Sequence, residues 1–140
     1  AAVRINKVTV GEIKRGMLVL IGIENEDNFE DIKWLTQKIS KLRIFPDNKA
    51  PMNKSILDIN GDIIVVSQFT LYASIKKGNR PNFTFSGEPK FAEHMYYQFV
   101  DNLERVTGKE VKTGKFGADM KISLINDGPV TINIDSKRKE

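Results

Sequence analysis

The chain has 140 residues with no cysteine and one histidine, and its 22 lysines and arginines against 18 aspartates and glutamates leave a net charge of +4. Those counts exclude a disulfide framework, a cysteine-based zinc site, a thiol nucleophile and a histidine-rich metal centre, and they leave a Ser-His-Asp triad only through His94. The positive balance suits a polyanionic partner such as nucleic acid, and equally the few net charges that keep a soluble domain dispersed.

From the N-terminus, Val3, Ile5, Val8 and Val10 stand among polar residues in the β-branched pattern of a hairpin or edge strands. Residues 12–16 read as a strand end and turn. Residues 17–23 are apolar except for Gly22, as expected of a strand buried on both faces. Asp27 precedes Glu30 by a capping-box spacing. Phe29, Ile32, Leu35, Ile39 and Leu42 then recur at helical spacing, which predicts an amphipathic helix to about Lys41. Trp34 falls about 120° from the centre of that stripe, on a flank suited to edge packing or to an interface. Arg43-Ile44-Phe45 reads as a short strand stopped by the Pro46-Asp47-Asn48 turn. Residues 63–71 form the second strongly apolar strand, and residues 75–85 are polar, basic and turn-rich.

A second helix begins near Pro89, carries Phe91, Met95, Phe99, Leu103 and Val106 on one face and ends at Gly108. Residues 120–125 and 130–134 read as two strands around Asn126-Asp127-Gly128-Pro129. Two helices against roughly seven strands predict an α+β fold, a mixed and barrel-like sheet with two main helices packed on it. No repeat or linker divides the chain. It reads as one domain over residues 1–135 with a solvated basic tail at 136–140. No apolar run reaches the ~18 residues of a membrane span, no signal peptide is visible, and the lack of cysteine suits a reducing cytoplasm.

Few residues can do chemistry. His94 lies on the polar side of the second helix and reads as a surface residue. At the polar end of the 63–71 strand, alternation puts Gln68 and Thr70 on one face and Ser67 and Phe69 on the other. These groups either satisfy neighbouring backbone or form a ledge that orients a substrate. Thr70 has no base nearby in sequence, so it reads as a hydrogen-bonding group rather than a nucleophile. Lys76, Lys77, Arg80 and Phe83 follow in a loop that either is simply solvated or binds phosphates and stacks on a base. Gly128-Pro129 offers little but backbone carbonyls, which suits a wall made of main chain.

Taken together, four motifs stand in order: Ser67-Gln68-Phe69-Thr70, Gly78-Asn79-Arg80-Pro81-Asn82-Phe83, Gly114-Lys115-Phe116-Gly117-Ala118-Asp119-Met120 and Asn126-Asp127-Gly128-Pro129-Val130-Thr131. In motifs and spacing, over essentially its whole length, the chain resembles the D-aminoacyl-tRNA deacylases. The resemblance implies a cytoplasmic homodimer, free of cofactor and metal, that hydrolyses the ester between a D-amino acid (or glycine) and the 3′-terminal adenosine of tRNA. It also implies a cis Gly-Pro bond. Each subunit's Gly128 and Pro129 would enter the other's site, where their carbonyls exclude an L side chain. Ser67, Gln68, Phe69 and Thr70 match the family's pocket-lining strand, and Phe116 and Met120 match residues around the adenosine and aminoacyl group. The family's Met-led opening strand, with its Ile-Gln-Arg-Val, precedes the segment matching Ala1 to Val10, so the resemblance does not extend to that strand or its Arg.

This picture assigns the chemistry largely to the tRNA's own 2′-hydroxyl. The expectation is that Gln68, Thr70 and Ser67, with backbone N–H groups of their strand, orient the ester and its oxyanion, since proximity can replace a perturbed side chain. The alternative is a non-catalytic RNA-binding module using Lys76, Lys77, Arg80 and Phe83. A dimeric structural domain without RNA affinity is the third reading.

Overall fold

The structure is a computed structural model that describes residues 1–139. Its spine is a pair of parallel strands, β3 (Gly16–Ile21) and β4 (Asp62–Ser67), aligned from Gly16 opposite Asp62 to Ile21 opposite Ser67. A two-residue strand, β5 (Lys112–Thr113), adds to the free edge of β4 in the same direction. Ile63, Ile64, Val65 and Val66 are each at most 4% exposed. Burial of each such side chain contributes about 1.5–3 kcal/mol. Alternation sends them to different places: Ile63 and Val65 join the larger core under the helices, and Ile64 and Val66 join a smaller core with Val3 and Ile13.

The larger core is closed by helices α1 (Phe29–Lys41) and α2 (Pro89–Thr107). Ile32 and Ile39 of α1 meet Met95, Tyr96, Phe99 and Leu103 of α2 in one apolar cluster. Two buried polar links cross it. Asn102 Nδ2 donates to Thr36 Oγ1 at 2.6 Å, joining the helices, and Tyr96 Oη donates to the Val65 carbonyl at 2.8 Å, joining α2 to β4. The expected start and stop of α2 hold, with Pro89 opening it and Gly108 in the left-handed region (φ 69°) ending it. The cap of α1 sits one residue later than the Asp27–Glu30 spacing predicts. The Glu30 N–H donates to Asn28 Oδ1 and the Asn28 N–H to Asp31 Oδ2, both at 2.9 Å, while Asp27 Oδ2 instead accepts the Glu24 N–H.

The smaller core lies under a second, antiparallel sheet in which β1 (Ala2–Ile5) runs between β2 (Val8–Glu12) and β6 (Lys121–Ser123). The α+β class and mixed strand directions are as expected, with six strands among the described residues divided between two three-stranded sheets.

Several expected strands are shorter or missing, and the one expected at 120–125 is reduced to Lys121–Ser123. The apolar run at 63–71 leaves the ladder after Ser67: the Gln68 N–H makes the last rung to the Ile21 carbonyl at 2.7 Å, β3 ends there, and Phe69–Tyr72 coil into a 3-10 helix. Arg43-Ile44-Phe45 is reduced to a single bridge between Phe45 and Lys54. Among the described residues, 130–134 form no strand, and β6 pairs only with the short β1. Of the expected tail, Ser136 to Lys139 are described and Lys137 is docked by ion pairs to Asp27 and Asp31; Glu140 lies outside the described residues. Trp34 lies on a flank of α1 as expected, with the ammonium groups of Lys38 and Lys139 5.6 and 5.1 Å from its ring centre.

Candidate active site

The end of β4 forms the centre of the candidate site. Ser67 is its last ladder residue and half-buried. The 3-10 helix changes the expected facing of the next residues. Gln68 and Thr70 do come together, Gln68 Nε2 donating to Thr70 Oγ1, but across a turn rather than along one face of a strand. Correspondingly, Phe69 does not share a strand face with Ser67. It projects from the turn, 58% exposed, and its ring meets Phe83 edge-on with centroids 4.9 Å apart.

Phe83 belongs to the basic loop, which is built more firmly than its composition suggests. Ser74 and Asn82 close its neck with two backbone hydrogen bonds of 2.7 and 2.9 Å. Beyond the neck, Asn82 Oδ1 accepts the Thr84 N–H and the Phe83 carbonyl accepts Ser86 Oγ at 2.8 Å. The neck thereby pushes Lys76, Lys77 and Arg80 out to an exposed tip. Among the described residues, the ion pairs engage Lys109, Lys112, Lys121 and Lys137, and none of the three tip cations is paired.

Phe116 and Met120 are both half-buried but pack on different cores. Phe116 lies on the larger one with its ring centre 5.8 Å from that of Tyr96, and Met120 lies on the smaller one. Gly114 makes room for Met120, since a Cβ at that position would stand 2.5 Å from the Met120 sulfur.

Gly128 and Pro129 are exposed, and the peptide bond between them is cis. Asn126 holds this turn from both sides: its Oδ1 accepts the Val130 N–H at 2.9 Å and its Nδ2 donates to Thr131 Oγ1 at 2.8 Å. Among the described residues, no hydrogen bond ties the turn to residues 67–70. Within one chain the structure therefore brings together Gln68 with Thr70 and Phe69 with Phe83, and leaves the Gly128–Pro129 turn presented outward.

Sequence reading did not assign roles to Asn126, Tyr96 or Tyr72. Asn126 was legible as a turn residue that bonds nearby backbone, and Tyr96 as a buried phenol in need of a partner. Tyr72 is the last residue of the 3-10 helix, and there burial and then the carboxylates of Asp27 and Glu24 push its hydroxyl well above its usual range. His94 is exposed on α2, as expected. Among the described residues, Thr70 Oγ1 accepts a hydrogen bond from the Gln68 amide and none joins it to a base, so the site shows no hydroxyl activated in that way. It can bind and orient an ester, and offer backbone groups to it.

The profile of the D-Tyr-tRNA(Tyr) deacylase family matches residues 1–135. The chain belongs to that family. It is 59% identical to a D-aminoacyl-tRNA deacylase of Flavobacterium psychrophilum and 56% identical to one of Flavobacterium johnsoniae, in each case over the whole of this chain and 93% of the relative. Among solved structures it is similar to one titled "c-Myc DNA Unwinding Element Binding Protein", with a TM-score of 0.88 and 36% identity over 96% of this chain and 91% of that one. No helix of the described residues is long and apolar enough to cross a membrane.

Proposed function

We propose that the chain hydrolyses the ester of D-aminoacyl-tRNA, glycyl esters included, releasing the free amino acid and tRNA, and that it spares L-aminoacyl esters as a proofreading step in the cytoplasm. The observation that carries this reading is the pairing of a rigid, outward-facing backbone turn, Gly128–Pro129 held by Asn126, with a site that lacks an activated nucleophile. A main-chain wall discriminates by shape: an L side chain meets carbonyls, whereas hydrogen or a D side chain points away. The missing hydroxyl chemistry is supplied by the 2′-hydroxyl of the terminal adenosine, which Gln68, Thr70 and Ser67 hold in register with an attacking water.

Among the described residues no hydrogen bond joins the turn to residues 67–70 of its own chain, which supports the reading that a second copy completes the site. Support comes from the apolar surface on the same segments, where Phe69, Leu71, Ile75, Phe85 and Ile125 are each more than half exposed, Ile125 at 92%. Lys76, Lys77 and Arg80 are free to meet tRNA phosphates, with Phe83 beside them. The same cations support the second reading, an RNA-binding module without catalysis.

One assay separates the two. Incubation with D- and L-Tyr-tRNA is expected to remove the D ester alone, and a D-Tyr-tRNA ending in 2′-deoxyadenosine is expected to lose turnover more completely than Thr70→Ala does. Salt-dependent tRNA binding with neither ester lost identifies the binding module. Full activity on the deoxy substrate rules out substrate assistance.

A further inference from the structure

Residues 124–133, which carry the Gly128–Pro129 turn, hang between two attachments. Upstream, β6 holds Ser123 opposite Ala2. Downstream, Ile134 packs on the larger core and Lys137 docks three residues later. The Lys137 ammonium lies 2.9 Å from Asp31 Oδ2 and 3.6 Å from Asp27 Oδ1, and it donates to the Glu26 carbonyl at 3.3 Å.

Both carboxylates are nearly enclosed, their side chains 10% and 12% exposed, and each already fixes backbone. Asp27 holds the Glu24 N–H, and Asp31 closes the cap of α1. Burial pushes Asp31 upward, but the Asn28 N–H and Lys137 outweigh it and leave its carboxyl below the usual range. Asp27 is farther from the ammonium, and there burial wins and raises it. The tail is shaped to deliver this cation: the Arg138 N–H bonds the Asp135 carbonyl at 3.0 Å, and Asp135 Oδ1 accepts the Lys137 N–H at 2.9 Å.

The receiving loop also backs the other half of the site. A Cβ at Gly22 would stand 3.1 Å from both Leu71 and Tyr72, so the bare glycine seats the 3-10 helix that follows Gln68. One ammonium thus joins the downstream end of the Gly128–Pro129 segment to the loop that supports residues 69–72.

We propose that Lys137 is a positioning residue for ester selection: its ion pairs with Asp31 and Asp27 fix the far end of residues 124–133 and so set where the Gly128–Pro129 wall stands. The proposal rests on the functional reading above.

The test uses the full chain and two variants, Lys137→Met and Lys137→Arg. Hydrogen exchange is followed in residues 124–133 and in β4, and D- and L-Tyr-tRNA hydrolysis is measured in parallel. In Lys137→Met, exchange in 124–133 quickens about fivefold while β4 is unchanged, as expected for losing one partly exposed ion pair. KM for the D ester rises and the preference for D over L falls by a similar factor, with a smaller change in kcat. Lys137→Arg restores all of these, because a guanidinium reaches the same carboxylates. Unchanged exchange in Lys137→Met overturns the latch. Faster exchange with unchanged KM and selectivity overturns the positioning role, and faster exchange in β4 as well makes Lys137 merely structural. A wild-type chain that treats D and L esters alike overturns the functional reading and, with it, the selectivity half of the proposal. The exchange result identifies that case, because it persists without any substrate.

Discussion

β4 and the segment at 124–133 are built from similar material and end up in opposite circumstances. Ile63-Ile64-Val65-Val66 and the apolar residues around Val130 and Ile132 are both rich in β-branched side chains. The first run has a strand on each edge and a core on each face, and almost none of its surface meets solvent. The second has neither, and its Ile125 and Ile132 stay in the open. Composition therefore sets what a segment is able to bury, while the available neighbours decide whether it does so. A run of this kind left unpartnered inside one chain is a surface in want of another.

The sharpest way to break this contrast is to truncate one residue on each side of it. Ile64→Ala is expected to cost about 2–5 kcal/mol in urea unfolding, because its site is fully enclosed and cannot collapse. Ile132→Ala is expected to stay within about 0.5 kcal/mol at concentrations where the chain is monomeric. Equal losses at the two positions would show that 124–133 is packed within the single chain.

Tyr96→Phe comes next. It removes the donor to the buried Val65 carbonyl and is expected to cost about 1–3 kcal/mol by the same measurement. Asn126→Ala probes the exposed side without touching either core. The two bonds lost are exposed and local to the turn, so kcat/KM for the D ester should fall by about tenfold, about 1.4 kcal/mol, while the melting temperature barely moves.

Smaller effects are expected at the cap of α1. Asn28→Ala should cost about 1 kcal/mol in thermal or urea unfolding. Asp31→Asn should be destabilising at neutral pH, by an amount that shrinks as the solution is acidified. The folded-state pKa of Asp31 lies below its unfolded value, so its contribution is present above the unfolded value near pH 3.9 and is lost as pH falls through the folded one. Melting curves of both proteins between pH 7 and about pH 2 would show the two converge.

The two helices, β3 and the buried part of β4 were legible because each is governed by its own periodicity or by an unbroken apolar run. The polar end of β4 was not. Ser67, Gln68 and Thr70 mark a functional edge in the sequence, but whether the chain continues as strand depends on β3 ending at Ile21, a partner some forty-five residues away in sequence. For the same reason 130–134 read as a strand. Its residues favour one, and among the described residues none of the strands pairs with it. Lys137 was hidden differently: a lysine in a basic tail carries no local sign that two carboxylates near residue 30 will receive it. The motif residues were identified through their resemblance to a family, and their local chemistry alone would have left Gly128 and Pro129 as an ordinary turn.

The two unlike cores on either side of β4 have a consequence for the end of the strand. Sliding the strand by one residue would exchange Ile63 and Val65 for Ile64 and Val66, presenting each core with side chains shaped for the other. The strand is thus keyed against translation, and the point at which the chain escapes the sheet, at Gln68, is indexed by four buried aliphatic residues. Their packing works as a length standard for the turn that carries Gln68 and Thr70. Selection on where Gln68 and Thr70 stand therefore reaches back into the interior, where a methyl group misplaced in either core would be felt as a displaced amide at the surface.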